Sequence, residues 1–385
     1  MFFVLVLAVV VGIHSYLWLR LVRDTTVRGR ARWLGTAGVV TFGLVVVGTL
    51  VGTRSLPHAA ATPLAWVGYL GLALMFYLLV VLAVLEVPRF VARRTVAPSA
   101  PDSSRRLFLG RVLAGTAVVT AAATVGYGVT QALGRISLRA VSVRLDRLDP
   151  AFDGYRIALL TDIHLGPILG REFLADVVAQ VNRAGVDLVA LSGDLVDGDA
   201  GALGAAARPL ADLTSRDGTY FVTGNHEYYS GAQAWTEYLA TLGVRVLRNE
   251  RVEIRRGTAA FDLAGVDDYT AGSAGLPGHG ADLPRALEGR EESRAVVLLA
   301  HQPRVVEQAA DLGVDLQLSG HTHGGQMAPF NLFVPLQQPA VSGLHRFRRT
   351  WLYVSRGVGF WGPPVRVGAP PEITILTLRA RDTIR

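Results

Sequence analysis

Four apolar stretches in the first third of the chain, residues 1–19, 33–52, 64–85 and 112–133, constrain this protein more than any other feature of its sequence. Each is close to the ~20 residues that a helix needs to cross a ~30 Å hydrocarbon core. Buried helices of soluble proteins seldom run this long without a charge, so residues 1–133 read as a membrane domain of four transmembrane helices. The first stretch has no basic residues ahead of it and is followed by Arg20 rather than small residues, which marks a retained span and not a cleaved signal peptide. Composition agrees, since 50% hydrophobic against 18% charged residues and a mean hydropathy of +0.34 are too apolar for one ordinary soluble domain.

All basic residues are Arg, and their distribution sets the orientation. Residues 1–133 hold 12 Arg against 3 acids (Asp24, Glu86, Asp102), whereas the remainder holds 26 Arg against 28 acids. The excess lies between the apolar spans, so the C-terminal part has no basic surplus and a nucleic-acid partner is not expected. Five Arg follow the first span (Arg20, Arg23, Arg28, Arg30, Arg32), only Arg54 follows the second, and six follow the third (Arg89, Arg93, Arg94, Arg105, Arg106, Arg111). The first and third loops are therefore cytoplasmic, and everything after Leu133 lies outside the cytoplasm. The protein is expected in the cell membrane, multi-pass, with an extracytoplasmic C-terminal domain. Ser104-Arg105-Arg106-Leu107-Phe108-Leu109, ahead of the fourth span, resembles the twin-arginine export signal and makes that export machinery an expected partner. Ala121-Ala122-Ala123 would permit cleavage, so anchored and released forms both stand. Within the spans the ionisable residues are His14 and, at an edge, Glu86, which gives no transport path.

From about Val141 the pattern changes to short β-rich runs separated by Gly, Asp and Asn turns and by amphipathic stretches, the punctuation of an α/β fold. Five apolar runs end in polar residues. Residues 155–160 lead to Asp162 and His164, 186–191 to Asp194 and Asp197, 219–222 to Asn225-His226-Glu227, 295–300 to His301, and 314–318 to His321 and His323. Open α/β sheets place their sites at the C-terminal ends of strands. With no Cys in the chain, a metal must be held by His, Asp, Glu or Asn, a set that suits Mn, Fe or Zn. Asp162 and His164, two apart on what reads as extended backbone, point to one side. Seven such donors are about what two adjacent ions need when one carboxylate is shared.

The ordered set Asp-x-His, Gly-Asp-x-x-Asp, Gly-Asn-His-Glu, a lone strand-end His and Gly-His-x-His resembles the calcineurin-like metallophosphoesterase family over roughly residues 150–378. The run Gly-His-Thr-His-Gly-Gly-Gln, with Val354-Ser355-Arg356-Gly357-Val358-Gly359 after it, is similar to the membrane-associated bacterial branch. That resemblance implies a four-layer α/β/β/α sandwich of two mixed sheets over residues 151–385, with 134–150 as linker and first strand. It also implies two divalent metal ions. Asp162, His164 and His323 would hold the first, Asn225, His301 and His321 the second, Asp194 would bridge them, and His226 would be the catalytic imidazole near the leaving group. A bridging hydroxide would attack phosphorus in line. The expected function is hydrolysis of a phosphate mono- or diester, of an envelope lipid, a lipid-linked intermediate or a wall polymer. The rival reading is a membrane-anchored binding or sensing protein with a structural metal site.

Single residues carry less weight than the cluster. A lone His at a strand end, such as His301, is more often a hydrogen-bonded core residue, but five of the nine His fall in the motif blocks. His14, His58, His279 and His345 carry no functional assignment. Asp197 is expected to hold a ligand His or its loop, and Glu227 to orient His226 or Asn225. Asp267 and Asp268 follow an apolar run over 261–266 that reads as a strand and could reach the site, with solvated loop acids the commoner reading. Tyr228, Tyr229, Trp351, Phe360 and Trp361 are candidates for a substrate wall or a lipid-facing surface, with core packing the commoner fate of each. The Gly-rich loop 272–280 reads as a lid or as plain surface.

Overall fold

The structure, a computed structural model, describes residues 2–95 and 103–381. Met1 of the first expected span, Asp102 in the third loop and residues 382–385 of the expected C-terminal domain lie outside the described residues. The chain forms two compact units, one of Met1–Thr130 with Gly362–Val365 and one of Gln131–Trp361 with Arg366–Arg385.

The first unit is helical: α1 (Phe2–Trp18), a π-type turn (Leu19–Arg23), α2 (Arg30–Ser55), α3 (His58–Thr95) and α4 (Ser103–Ala132). Among the described residues, three helices are long and apolar enough to cross a membrane, over Arg30–Thr53, Ala59–Val91 and Ser104–Ala132. The expected count of four is therefore corrected to three. The 17 residues of α1 extend only about 26 Å at 1.5 Å per residue, and the turn that prolongs it brings in Arg20 and Arg23. These charges are compensated locally. Arg20 meets Glu86 at 2.7 Å and Asp24 at 2.9 Å, and Arg89 meets Asp24 at 3.1 Å, so that ionisable groups near the apolar spans pair with one another.

The second unit opens with β1 (Ser137–Arg144) and β2 (Arg156–Leu160), followed by α5 (Arg171–Ala184) and β3 (Leu188–Ser192). Next come α6 (Ala200–Ala207), β4 (Thr219–Val222), α7 (Asn225–Tyr229), α8 (Ala232–Thr241) and β5 (Val244–Val246). The second half has β6 (Glu250–Arg256), β7 (Ala259–Gly265), α9 (Leu283–Ala286), β8 (Val296–Leu299), α10 (Val306–Asp311) and β9 (Leu316–Ser319). It ends with β10 (Gly343–Phe347), β11 (Thr350–Val354) and β12 (Glu372–Arg379).

Two mixed six-stranded sheets result, in the orders β1-β12-β2-β3-β4-β5 and β10-β11-β9-β8-β7-β6. Strands β2, β3, β4 and β5 are parallel in one, and β7, β8, β9 and β11 in the other. The central strands read as continuous apolar runs because both faces are covered. Ile157, Leu159, Leu188 and Val222 of one sheet share a core with Phe261, Leu263, Val297, Leu299 and Leu318 of the other. On its outer face the first sheet packs on α5, α6 and α8 through Val177, Val181, Leu203, Trp235 and Leu239. The outer face of the second packs on α9 and α10 through Leu283, Ala286 and Ala309. Helix α5 shows why such segments are helical: Leu174, Val177, Val178 and Val181 recur at 3.6-residue spacing on one buried face, and Gly185 closes the helix at φ 62°. Helices thus lie outside both sheets, and the loops after β2, β3, β4, β8 and β9 are free to meet at one end.

Candidate metal centre

The five loops bring the seven expected donors and His226 to one place. Asp162, His164 and His323 have donor atoms within 4.8 Å of one another, as do Asp194, His301 and His321. His323 Nε2 lies 3.0 Å from His164 Nε2 and 3.3 Å from Asp162 Oδ1. His301 Nε2 lies 3.0 Å from Asp194 Oδ2, His164 Nε2 lies 3.9 Å from the same oxygen, and His321 Nδ1 lies 3.0 Å from Asn225 Oδ1. Donors bound ~2.0–2.2 Å from a common ion stand roughly 3.0–3.5 Å apart, so this spacing fits metal coordination. The ring orientation fits too. Asp197 occupies His164 Nδ1 at 3.0 Å and the Ser192 carbonyl occupies His301 Nδ1 at 2.8 Å, which aims both Nε2 atoms inward, and His301 Nε2 is buried without a hydrogen bond.

The local backbone is not extended as the sequence suggested. Asp162, His164, Asp194, His321 and His323 have φ of 54°, 50°, 52°, 70° and 51°, in the left-handed region. Left-handed backbone costs a non-Gly residue about 1–3 kcal/mol and persists only where the surroundings hold it. Asp162 N–H donates to the Gly193 carbonyl and His164 N–H to the Asp194 carbonyl, tying adjacent strand-end loops together. Close approach also demands Gly at two points. A Cβ on Gly224 would collide with the Asp194 carboxylate, and one on Gly320 with the Asp162 carboxylate.

Electrostatics favour ligation. Burial, reinforced by the His301 charge, lowers His321 to about 3, and burial with His164 and Arg366 nearby depresses His323 strongly, so both rings are neutral and offer lone pairs. Burial opposes charge on Asp194, yet His301 and His226 hold its carboxyl well below the usual range. Burial works against a charged His301 as well, but the Asp194 carboxylate beside it raises it well above 6.5. Ligation by His301 would therefore release a proton.

His226 belongs to a third group with donor atoms within 4.8 Å of one another, that of His164, Asp197 and His226. Its backbone N–H donates to Asp194 Oδ1 at 2.9 Å and its Nδ1 lies 2.6 Å from Asp197 Oδ1, so Asp197 links it to His164. Burial alone would lower His226, but the Asp194 and Asp197 carboxylates prevail and raise it to about 9. Exposed Tyr229 and Trp361 flank its ring at 5.4 and 6.0 Å, whereas Phe360 is buried, Trp351 is half-buried, and Tyr228 bonds His279 Nδ1 at 3.1 Å.

Several readings are corrected here. Glu227 directs its hydrogen bonds to backbone rather than to the His226 or Asn225 side chain. Its buried carboxylate accepts the backbone N–H of Gly224 (2.6 Å), Leu195 (2.8 Å) and Asp194 (3.0 Å), clamping the Asp194 turn to α7. Glu227→Gln turns an amide donor toward one of these N–H groups and should cost about 1–3 kcal/mol, readable as a lower Tm in chelator-treated protein. An unchanged Tm would remove the clamp from the account. Asp267 and Asp268 are buried rather than solvated. Asp267 takes a bidentate contact from Arg248, and Asp268 accepts from Gln302 and Thr270. The 272–280 loop is tied to that pair, with Gly278 O accepting from Arg248 and Gly280 N–H donating to Asp267.

Sequence reasoning missed Arg366. It is fully buried and donates to the carbonyls of Ala369, Gly359 and His323, with Nη2 3.3 Å from His323 Nδ1. Burial lowers it only to about 10, so it stays a cation and fixes the His323 loop. No motif surrounds it, and its loop gave no signal.

An α/β unit with oxygen and imidazole donors gathered at its strand ends is the architecture of a metal-dependent hydrolase. Residues 155–325 match the model of the calcineurin-like phosphoesterases. The chain is 36% identical to a transmembrane protein with metallophosphoesterase domain from Danio rerio, over 80% of this chain and 70% of that one. It is 42% identical to a protein so described from Bos taurus (72% and 64%), and 40% identical to an uncharacterized metallophosphoesterase from Helicobacter pylori (68% and 69%). It spans about two-thirds of the length of these relatives. The chain belongs to the calcineurin-like metallophosphoesterase family and, with it, to the metal-dependent phosphoric ester hydrolases. Its three apolar helices and its transmembrane-named relatives make it membrane-associated.

Proposed function

We propose that the protein is a multi-pass, membrane-anchored phosphoesterase that holds two divalent ions and hydrolyses phosphate mono- or diesters of an envelope lipid, lipid-linked intermediate or wall polymer. The convergence of seven oxygen and nitrogen donors from five strand ends supports it most. Asp162, His164 and His323 would hold one ion, Asn225, His301 and His321 the other, and Asp194 would be shared. This donor set, without thiolate, suits Mn, Fe or Zn. Two such ions, when bound, supply an activated water and offset charge on the phosphoryl oxygens. The chain does the rest. Asp197 fixes the tautomers of His164 and His226 through their Nδ1 atoms, leaving His226 Nε2 to give a proton to the leaving oxygen. Arg366 keeps the His323 loop from drifting.

The Arg residues around the start of α2 and at the C-terminal end of α3 and the N-terminal end of α4 support an extracytoplasmic phosphoesterase domain. On this reading α2 to α4 make three crossings between them and end on the outer side. The Ser104-Arg105-Arg106 motif at the start of α4 supports twin-arginine export, which carries folded proteins and so suits a domain that takes up metal first.

Elemental analysis of purified full-length protein, together with turnover of a chromogenic phosphodiester, tests this reading. Chelation should abolish turnover and added Mn restore it. Metal bound without turnover of any phosphoester would favour the binding or sensing role instead.

A further inference from the structure

Ten large apolar side chains of residues 131–381 are exposed among the described residues, and four of them fall within seven consecutive positions: Phe330 (52%), Leu332 (70%), Phe333 (57%) and Leu336 (81%). The surrounding segment, residues 327–339, contains no charged residue. It holds two short 3-10 turns, Phe330–Leu332 and Val334–Leu336. Within them Leu332, Phe333, Leu336 and Gln337 donate their backbone N–H groups to carbonyls of the segment itself. Apolar side chains on backbone that pairs internally can enter a low-dielectric phase without stranding polar groups. Exposed apolar patches of this kind mark contact surfaces rather than ordinary solvent-facing loops.

The segment is coupled to the metal centre. It follows the His321–His323 loop directly, and Asn331 packs on Gly325 so closely that a Cβ there would collide with it. Gln326 in turn bonds Trp361 at both its N–H and its carbonyl, and exposed Trp361 flanks His226. The occupant follows from the tether. Four residues, 133–136, join the membrane helix α4 to β1, and a connection that short reaches at most about 15 Å. However the unit turns, it works beside a bilayer.

We propose that residues 327–339 form a bilayer-docking surface, in which Phe330, Leu332, Phe333 and Leu336 enter the lipid interface and hold the metal centre against it. The inference rests on the reading of the chain as a membrane-anchored phosphoesterase and narrows its substrates to amphiphiles that present a phosphoester at the membrane surface. A soluble nucleotide or sugar phosphate would gain nothing from such a surface.

The absence of Cys allows a direct test on the full-length protein. Leu336→Cys carrying a bimane label, in vesicles of phosphatidylcholine and phosphatidylglycerol, is compared with a label at Ala274→Cys in the exposed part of the 272–280 loop. Brominated acyl chains should quench the label at 336 at least about threefold more than that at 274, with aqueous iodide showing the reverse. Equal iodide access at both sites overturns the proposal, and so does protection from iodide without quenching by lipid, which would mean that a protein covers the segment. In parallel, Phe333→Asp with Leu336→Asp should lower kcat/KM on a vesicle-resident lipid phosphodiester about tenfold or more. A soluble chromogenic phosphodiester should change less than about twofold, which also reports that the variant is folded. Equal effects on both substrates count against docking, whereas native protein inert toward every phosphoester counts against the enzymatic reading and leaves the quenching result to decide the surface.

Discussion

Asp194→Asn should cost the protein more than any other single change at the centre: bound metal falls below one equivalent and phosphodiester turnover drops by more than roughly 100-fold. Loss of a residue that merely supports a ligand costs about 10–100-fold in metal affinity, and Asp194 faces the donors of both groups. Its Oδ2 lies 3.0 Å from His301 Nε2 and 3.9 Å from His164 Nε2, while Oδ1 accepts the His226 backbone N–H. Asn keeps that acceptor and the shape but removes the charge. The fold should survive with a lower Tm in chelator, because the folded protein favours the Asp194 charge through His301 and His226 and neutral Asn gives up that stabilisation. Native metal stoichiometry in this variant, measured by elemental analysis, would show that Asp194 is not the shared ligand.

His226→Ala should produce a different pattern. Turnover should fall about 10²–10⁴-fold, the usual scale for losing a positioned acid or base, while metal content stays at the native level. The reason is geometric: His226 falls only in the group with His164 and Asp197, where its Nδ1 is taken up by Asp197 Oδ1, and it has no donor in the Asp162, His164 and His323 group or the Asp194, His301 and His321 group. The loss should also depend on the leaving group. A nitrophenolate departs without a proton and should slow little, whereas an alkoxide needs one and should suffer nearly the whole loss. A uniform loss across leaving groups, or metal lost along with activity, would assign His226 to structure instead.

These two expectations draw on residues that were visible in the sequence, because each donor ends a short apolar run and strand ends in α/β proteins converge. The left-handed backbone at Asp162, His164, Asp194, His321 and His323 was not visible. Asp and His seldom adopt it, and here it is held by hydrogen bonds between loops that lie 30 residues or more apart in the chain. Asp267, Asp268 and Glu227 read as loop acids or helpers of nearby rings because acids are usually solvated. Their burial depends on Arg248, Gln302 and a ring of backbone N–H groups that no local pattern announces. Arg366 was silent for the same reason, since its partners are carbonyls.

The membrane count differed on a matter of length. Apolar composition alone marked four spans, but the helix that forms over residues 2–18 stops short and passes into a turn bearing two Arg. The sequence by itself determined the apolar N-terminal third, the placement of its Arg between the apolar stretches, and the ordered set of oxygen and imidazole donors, since these are properties of composition and spacing. Only the tertiary structure decided which carboxylate faces both groups of donors, which ring nitrogens point inward, and which acids are buried. Each of those depends on distances between loops carried by two separate sheets, and packing, not sequence proximity, sets them.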